Sequence, residues 1–434
     1  MKLIQTTGRG ARKAEDTIAV LERRGGASLD GVLPTVRRIV ADVRRGGDRV
    51  LLRYAKKLDG LRDAEGLRIS EEEMTAAWDA CSAEMRVALT TAAQQIRGFA
   101  ERQMPESWTK TPIAGLTTGQ LVRPLEAVGC YVPSGRHPLP STLLMTVIPA
   151  QVAGVERIVA VSAKPARETL AVAHLLGITE FYRVGGAHAI ASLAYGTESI
   201  ARVDKVVGPG NLYVTAAKRE VAFDCAIDML AGPTEIVVMS ERGTAAEIAS
   251  DLVAQAEHDP EALAIFITTQ KALAEDVIAE TTVRARANAV AREALKRNGV
   301  VIVTESLEEA RELTNRIAPE HLTVDSAEDL AWVRNAGSVF VGRWSAQPMG
   351  DYTSGPNHTL PTGGLARVRG GLSVNDFVKL ITVQEYEAEA IRELGPKVVL
   401  LAEAEGLMAH AEAVRVRLKS VRLKSAGRGR KANG

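Results

Sequence analysis

Residues 126–162 read EAVGCYVPSGRHPLPSTLLMTVIPAQVAGVERIVAVS. The opening EAVGCYV is an apolar run that breaks at a Pro/Gly turn, which predicts a buried strand. The stretch STLLMTVIPAQVAGV, from Ser141, predicts a helix, and RIVAVS, from Arg157, a second buried strand. Neither strand alternates polar with apolar residues, so both faces must be covered, as in a parallel sheet flanked by helices. A strand–helix–strand unit of this kind sets the fold class as α/β.

The alternation continues outward. EFYRVGG (180–186), AIASLAYG (189–196) and KVVGPG (205–210) read as strand, helix and strand. A second set follows: EIVVMS (235–240), LAIFITT (263–269), VVIVTES (300–306) and GSVFVGR (337–343), separated by helical segments. Two sets predict two α/β domains. LPTVRRIVADVRRGGDRVLLRYAKKLDG (33–60) spaces its apolar residues for amphipathic helices, which we group with the second set. The expected organisation is a helical arm over 1–25, a first α/β domain from 26–126 and 236–376, a second over 127–235, and a C-terminal helical segment over 377–434.

The 434-residue chain is 46% hydrophobic, 25% charged and only 4% aromatic, so its cores rest on aliphatic side chains. Net charge is +1, yet the last twenty residues carry eight Lys/Arg and no acid, leaving 46 basic against 53 acidic groups elsewhere. A mildly acidic body with a basic end argues for a disordered, solvated tail rather than a nucleic-acid surface. Cys81, Cys130 and Cys225 are too few and too scattered for a disulfide framework or a CxxC metal site. No signal-peptide core or bilayer-length apolar run is present, so a cytoplasmic protein without a membrane partner is expected.

Polar residues interrupt stripes that should be apolar. In GTAAEIASDLVAQAEHDP (243–260), Thr244 and Glu247 form a capping box and Pro260 stops the helix. Ile248 and Leu252 lead to Gln255, with His258 one turn on, so the last inward turn is expected to carry two polar groups. Each must find a core hydrogen bond or hold a metal. AEGLMAHAEAV (404–414) sets His410 in a stripe of Leu407, Ala411 and Val414, with Glu405 near the helix start. GDYTSGPNHTLPTGG (350–364) reads as an irregular loop showing Asp351 and His358. NRIAPEHLTVD (315–325) places Glu320 beside His321 after a helix-ending proline. His, Asp and Gln donors without cysteine suit zinc, manganese or another borderline metal. No GxGxxG occurs, though Gly185 and Gly186 follow a strand, with Asp204 about where a ribose-binding acid would lie. His137 falls in a turn, with no chemistry expected.

The segments AGPTE (231–235), QAEH (255–258), NRIAPEHL (315–322), GDYTSGPNHTLPT (350–362) and EGLMAH (405–410) together resemble the histidinol dehydrogenase family, in its order and spacing, to about Arg415. The resemblance implies two Rossmann-like domains with small helical segments at both termini. It implies NAD-dependent oxidation of L-histidinol through the aldehyde to L-histidine, the last step of histidine biosynthesis, with one zinc per subunit. Carried over by motif, Gln255, His258, Asp351 and His410 are the zinc ligands. Glu320 would activate water and His321 would be the general base. Thr234, His358 and Glu405 contact substrate, and the ligands and His321 also face it. Tyr131, His188 and Asn211 fall at NAD-contacting positions. Thr234 stands where the family usually has serine, and His188 where it usually has glutamine. A homodimer that exchanges its C-terminal segment is also implied. The neighbouring possibility is a paralogous zinc and NAD dehydrogenase of another small polar alcohol, such as a sulfonated diol.

Overall fold

Both sets of apolar runs form parallel sheets in the computed structural model, which describes residues 1–25, 28–134 and 139–429. The chain divides into two units, Met1–Met104 with Leu125–Phe377, and Pro105–Pro124 with Val378–Gly434. His137 lies outside the described residues.

The first unit holds both sheets. One orders its strands Lys2–Gln5, Val300–Val303, Leu263–Thr268, Glu235–Met239, His321–Val324 and Ser338–Val341, all parallel. The other runs Glu180–Tyr182, Arg157–Val161, Ala127–Tyr131, Lys205–Val207 and Ala226–Ile227, also parallel. In the second sheet the chain starts at Ala127–Tyr131, builds outward to one edge, then returns to add strands on the other side. The first sheet repeats this order from Glu235–Met239, with Lys2–Gln5 added at its edge. Each sheet therefore has the reversal of strand order that marks a doubly wound fold.

The helix expected after Tyr131 spans Pro140–Ala153 and is buried from Ser141 through Ala150, as a helix with apolar residues on every face requires. Its Thr146 hydroxyl is satisfied locally by the Thr142 carbonyl at 2.8 Å. Helix Leu33–Tyr54 differs from expectation. Its Val36, Val43 and Leu51 pack with Val159, Ala189 and Ile190 of the five-stranded sheet's core, not with the other sheet. Periodicity tells which stripe a helix buries, but not which sheet receives it.

The second unit begins with strands that the sequence did not announce. Trp108–Ile113, Leu116–Pro124 and Val378–Tyr386 form an antiparallel sheet whose two outer strands are largely exposed, while the central Leu116–Pro124 buries Leu116, Gly119 and Val122. Gly115, at φ +75°, makes the hairpin turn between the first two. Helices Ala388–Ala404 and Met408–Gly429 then pack together. The latter takes in most of the basic tail, which is thus helical through residue 429 rather than frayed.

Candidate active site

Helix Leu307–Ile317 starts at Ser306, whose Oγ accepts the Glu309 N–H at 3.2 Å, and buries Ala310, Leu313 and Ile317. It ends at Ala318, which takes the left-handed conformation at φ +52°, a cost of about 1–2 kcal/mol for a residue with a Cβ. Pro319 prevents continuation. The chain then enters strand His321–Val324, so Glu320 and His321 stand where the strand begins, both buried. The neighbouring chain holds this entry closely. Ser338 N–H donates to the Glu320 carbonyl at 2.9 Å, and a Cβ on Gly337 would lie 2.6 Å from that oxygen.

Strand Glu235–Met239, beside it, orients both side chains. The Glu320 Oε2 accepts the Thr234 hydroxyl at 2.6 Å and the Glu235 backbone N–H at 2.7 Å. The Glu235 carbonyl lies 3.0 Å from His321 Nδ1. A carbonyl only accepts, so Nδ1 carries the hydrogen and Nε2 presents its lone pair. That Nε2 is buried without a hydrogen-bond partner. Burial alone would lower the His321 pKa, but the Glu320 carboxylate, with Asp351 beyond it, outweighs burial and raises it above 6.5.

His321 lines a cavity of about 380 Å³ together with Phe340, Trp344, Asp351, Asn357 and His358. Asp351 is on a six-residue helix, Gln347–Tyr352, rather than in the expected irregular loop. Its Oδ2 accepts the Gln347 amide at 3.0 Å, while its Oδ1 is 3.9 Å from His321 Nε2. His358 donates from Nδ1 to the Asp351 carbonyl at 2.9 Å, and burial holds its pKa down, favouring the neutral ring.

Helix Ala245–Ala256 has the expected cap at Thr244 and buries Ile248, Leu252 and Gln255. The Gln255 amide donates to the Thr234 hydroxyl, and its Oε1 is buried with no partner. His258 differs. The helix closes at Ala256, so His258 lies beyond the last turn and is exposed instead of inward. Among the described residues no three His, Cys, Asp or Glu side chains gather closely enough to hold a metal ion. A glutamine oxygen falls outside that set, and Gln255 Oε1 is a free donor of a type that zinc accepts. Glu405 and His410 belong to the second unit. Glu405 caps the end of helix Ala388–Ala404, and His410, expected within a buried stripe, is exposed beside buried Ala411.

The five-stranded sheet carries the three remaining positions. Tyr131 ends its central strand, and its hydroxyl accepts the Gly186 N–H at 3.2 Å. Asn211 caps helix Leu212–Val221, accepting from the N–H groups of Tyr213 and Val214. Gly208, at φ +111°, brings that loop against Tyr131, where a Cβ would lie 2.2 Å from the Tyr131 carbonyl oxygen. Tyr131 and the 208–211 loop thus flank the switch point of strand order, the usual crevice for a dinucleotide. His188 is 1% exposed, its Nε2 2.7 Å from Asp59, which also accepts the Gly185 N–H. Asp204 is not placed for ribose. Its carboxylate accepts the N–H groups of Glu126 and Ala127 at the opposite, amino end of the strands.

Two parallel sheets, one with a dinucleotide-type switch point and one opening the His321 imidazole, backed by the Glu320 carboxylate, to a cavity, define an α/β enzyme. The family model described as histidinol dehydrogenase matches residues 22–418. Histidinol dehydrogenase of Geobacillus kaustophilus is 48% identical over 417 residues, covering 91% of this chain and 98% of that one. The Methanothermobacter thermautotrophicus protein of the same name is 45% identical, covering 93% and 97%. The crystal structure of histidinol dehydrogenase from Elizabethkingia anophelis aligns with TM-score 0.89 at 35% identity, over 97% of this chain and 99% of that one. The chain belongs to the histidinol dehydrogenase family and is an oxidoreductase. No helix among the described residues is long and apolar enough to cross a membrane.

Proposed function

We propose that the chain oxidises L-histidinol to L-histidine in two NAD-dependent steps at the His321 cavity, in the cytoplasm. One observation carries the reading: His321 is locked by Nδ1 onto the Glu235 carbonyl, leaving Nε2 unpartnered toward the cavity. Oxidising an alcohol requires its hydroxyl proton to leave as hydride departs, and Nε2 is the atom that takes this proton. Oxidising the resulting aldehyde requires water to add to it. Both donors to Glu320 fall on Oε2, so its other oxygen, Oε1, is the one that takes the water's proton. Neutral His358 and the Glu405 carboxylate serve as substrate contacts, and Thr234 fixes Glu320.

Gln255, His258 and Asp351, with His410, would hold the zinc. The unpartnered Gln255 Oε1 and the N/O donor set fit that metal. When bound, the ion would act as a positioning Lewis acid that orients the substrate. Tyr131 and Asn211 would hold NAD, which would supply the hydride acceptor. His188 supports that crevice from below through the Gly185–Gly186 turn.

We place His410 and Glu405 in the partner's site of a homodimer. The second unit leaves Leu400 68%, Leu401 65% and Met408 57% exposed, apolar surface of the kind that partner contacts cover. The family match does not favour a sulfonated diol as substrate. The test is the purified protein with histidinol and NAD, with and without a chelator. Histidine formation that the chelator stops is expected, and no NADH from histidinol would refute the reading. Mixing H410A with H321A subunits should restore activity in hybrid dimers. No recovery after proven exchange would remove the shared site.

A further inference from the structure

Arg24 lies in the N-terminal segment, 296 residues before Glu320 in the chain. Its side chain is 13% exposed, and its guanidinium forks onto the Glu235 carboxylate, Nε to Oε1 at 2.7 Å and Nη2 to Oε2 at 2.6 Å. Gly363 N–H adds a third bond to that carboxylate at 2.9 Å. The same guanidinium reaches the end of helix Leu307–Ile317. Nη1 donates to the Leu21 carbonyl at 2.6 Å and the Ile317 carbonyl at 2.7 Å, and Nη2 to the Ala318 carbonyl at 3.4 Å. Carbonyls at a helix end have no partner within the helix, and the left-handed Ala318 turns the chain at this point.

The two groups that Arg24 joins are those that set the catalytic pair. Ala318 leads through Pro319 directly into Glu320. Glu235 donates its N–H to Glu320 and offers its carbonyl to His321. A shift of either segment moves the Glu320 carboxylate or turns the His321 ring. We propose that Arg24 is a positioning residue for the Glu320–His321 pair, acting through the Glu235 carboxylate and the Ile317–Ala318 carbonyls. Lysine cannot replace it. One ammonium lacks the planar fork that serves a carboxylate and two carbonyls together. The inference rests on the catalytic reading of Glu320 and His321.

The experiment compares the zinc-loaded R24K, R24A and E235Q enzymes with wild type and H321N, measuring kcat, KM for NAD, zinc content and melting temperature. The expected result is a fall in kcat of about tenfold to a hundredfold in R24K and E235Q, the scale of a misplaced catalytic group. At saturating zinc the metal content should match wild type, and KM for NAD should stay within about twofold, since the proposed NAD crevice lies on the other sheet. Added methylguanidine should recover part of the R24A rate. A kcat within about twofold of wild type in R24K and E235Q overturns the proposal, as does a loss that merely tracks zinc content or unfolding. If H321N is inactive while R24K is normal, only this inference fails. If H321N turns over normally, the catalytic reading fails with it.

Discussion

Thr234 donates its hydroxyl hydrogen to Glu320 across 2.6 Å while its oxygen accepts the Gln255 amide. One side chain thus couples the proposed water-activating carboxylate to a proposed zinc ligand. T234S keeps both bonds and should retain near-normal kcat. T234V keeps the shape but leaves the buried Gln255 amide unpaired, a cost of about 1–3 kcal/mol. T234V should therefore lose both zinc affinity and activity, read by metal competition and steady-state rates. Wild-type zinc affinity in T234V would show that the bridge is idle.

The pH dependence has a fixed sign. His321 must be neutral to accept a proton, and Glu320 and Asp351 raise its pKa above 6.5 despite burial. Log kcat/KM should climb with pH through a limb centred above 6.5 and then level off. A limb centred at or below that value would contradict the charge arrangement.

Asp251 gives a stability test away from the chemistry. Burial pushes its carboxyl up to about 6, against the Gln347 N–H that it accepts. Between the ordinary value of 3.8 and about 6, the folded chain keeps a proton that the unfolded chain has lost. Stability therefore falls as pH rises through that window, by at most about 3 kcal/mol. D251N, which cannot ionise, should melt higher than wild type at neutral pH, with the gap closing near pH ~4. An equal gap at both pH values would show that Asp251 ionises freely.

Gly208 tests the cofactor side. A Cβ there would strike the Tyr131 carbonyl at 2.2 Å, and φ +111° disfavours any L-residue. G208A should raise KM for NAD by about tenfold or more, since the loop must withdraw from the crevice, while zinc content is kept. Unchanged NAD affinity would move the cofactor elsewhere.

Much of this was legible in the residues, for stated reasons. Gln255 was visible because a buried amide breaks an apolar stripe, and the Glu320–His321 pair because proline fixes where its helix ends. Periodicity points His258 inward because an apolar pattern continues past the point where a helix stops, and the structure ends that helix at Ala256. Asp204 was assigned by distance along the chain, which does not say which end of a strand a residue occupies. The antiparallel strands after Pro105 escape the pattern because Trp108–Ile113 is exposed, and Leu116–Pro124 buries every third residue, Leu116, Gly119 and Val122, rather than every second. Arg24 and Glu235 were not singled out, since an ion pair 211 positions apart leaves no local signal.

His321 and Glu320 divide the labour of the two oxidations, His321 serving the alcohol and Glu320 the water that attacks the aldehyde. The direct measurement is NADH formed per histidinol consumed, in wild type and in E320Q, whose amide oxygen can still accept from Thr234 and Glu235. Two are expected for wild type and close to one for E320Q, with the aldehyde trapped by an added amine nucleophile. An E320Q enzyme that still yields two at the wild-type rate would contradict it.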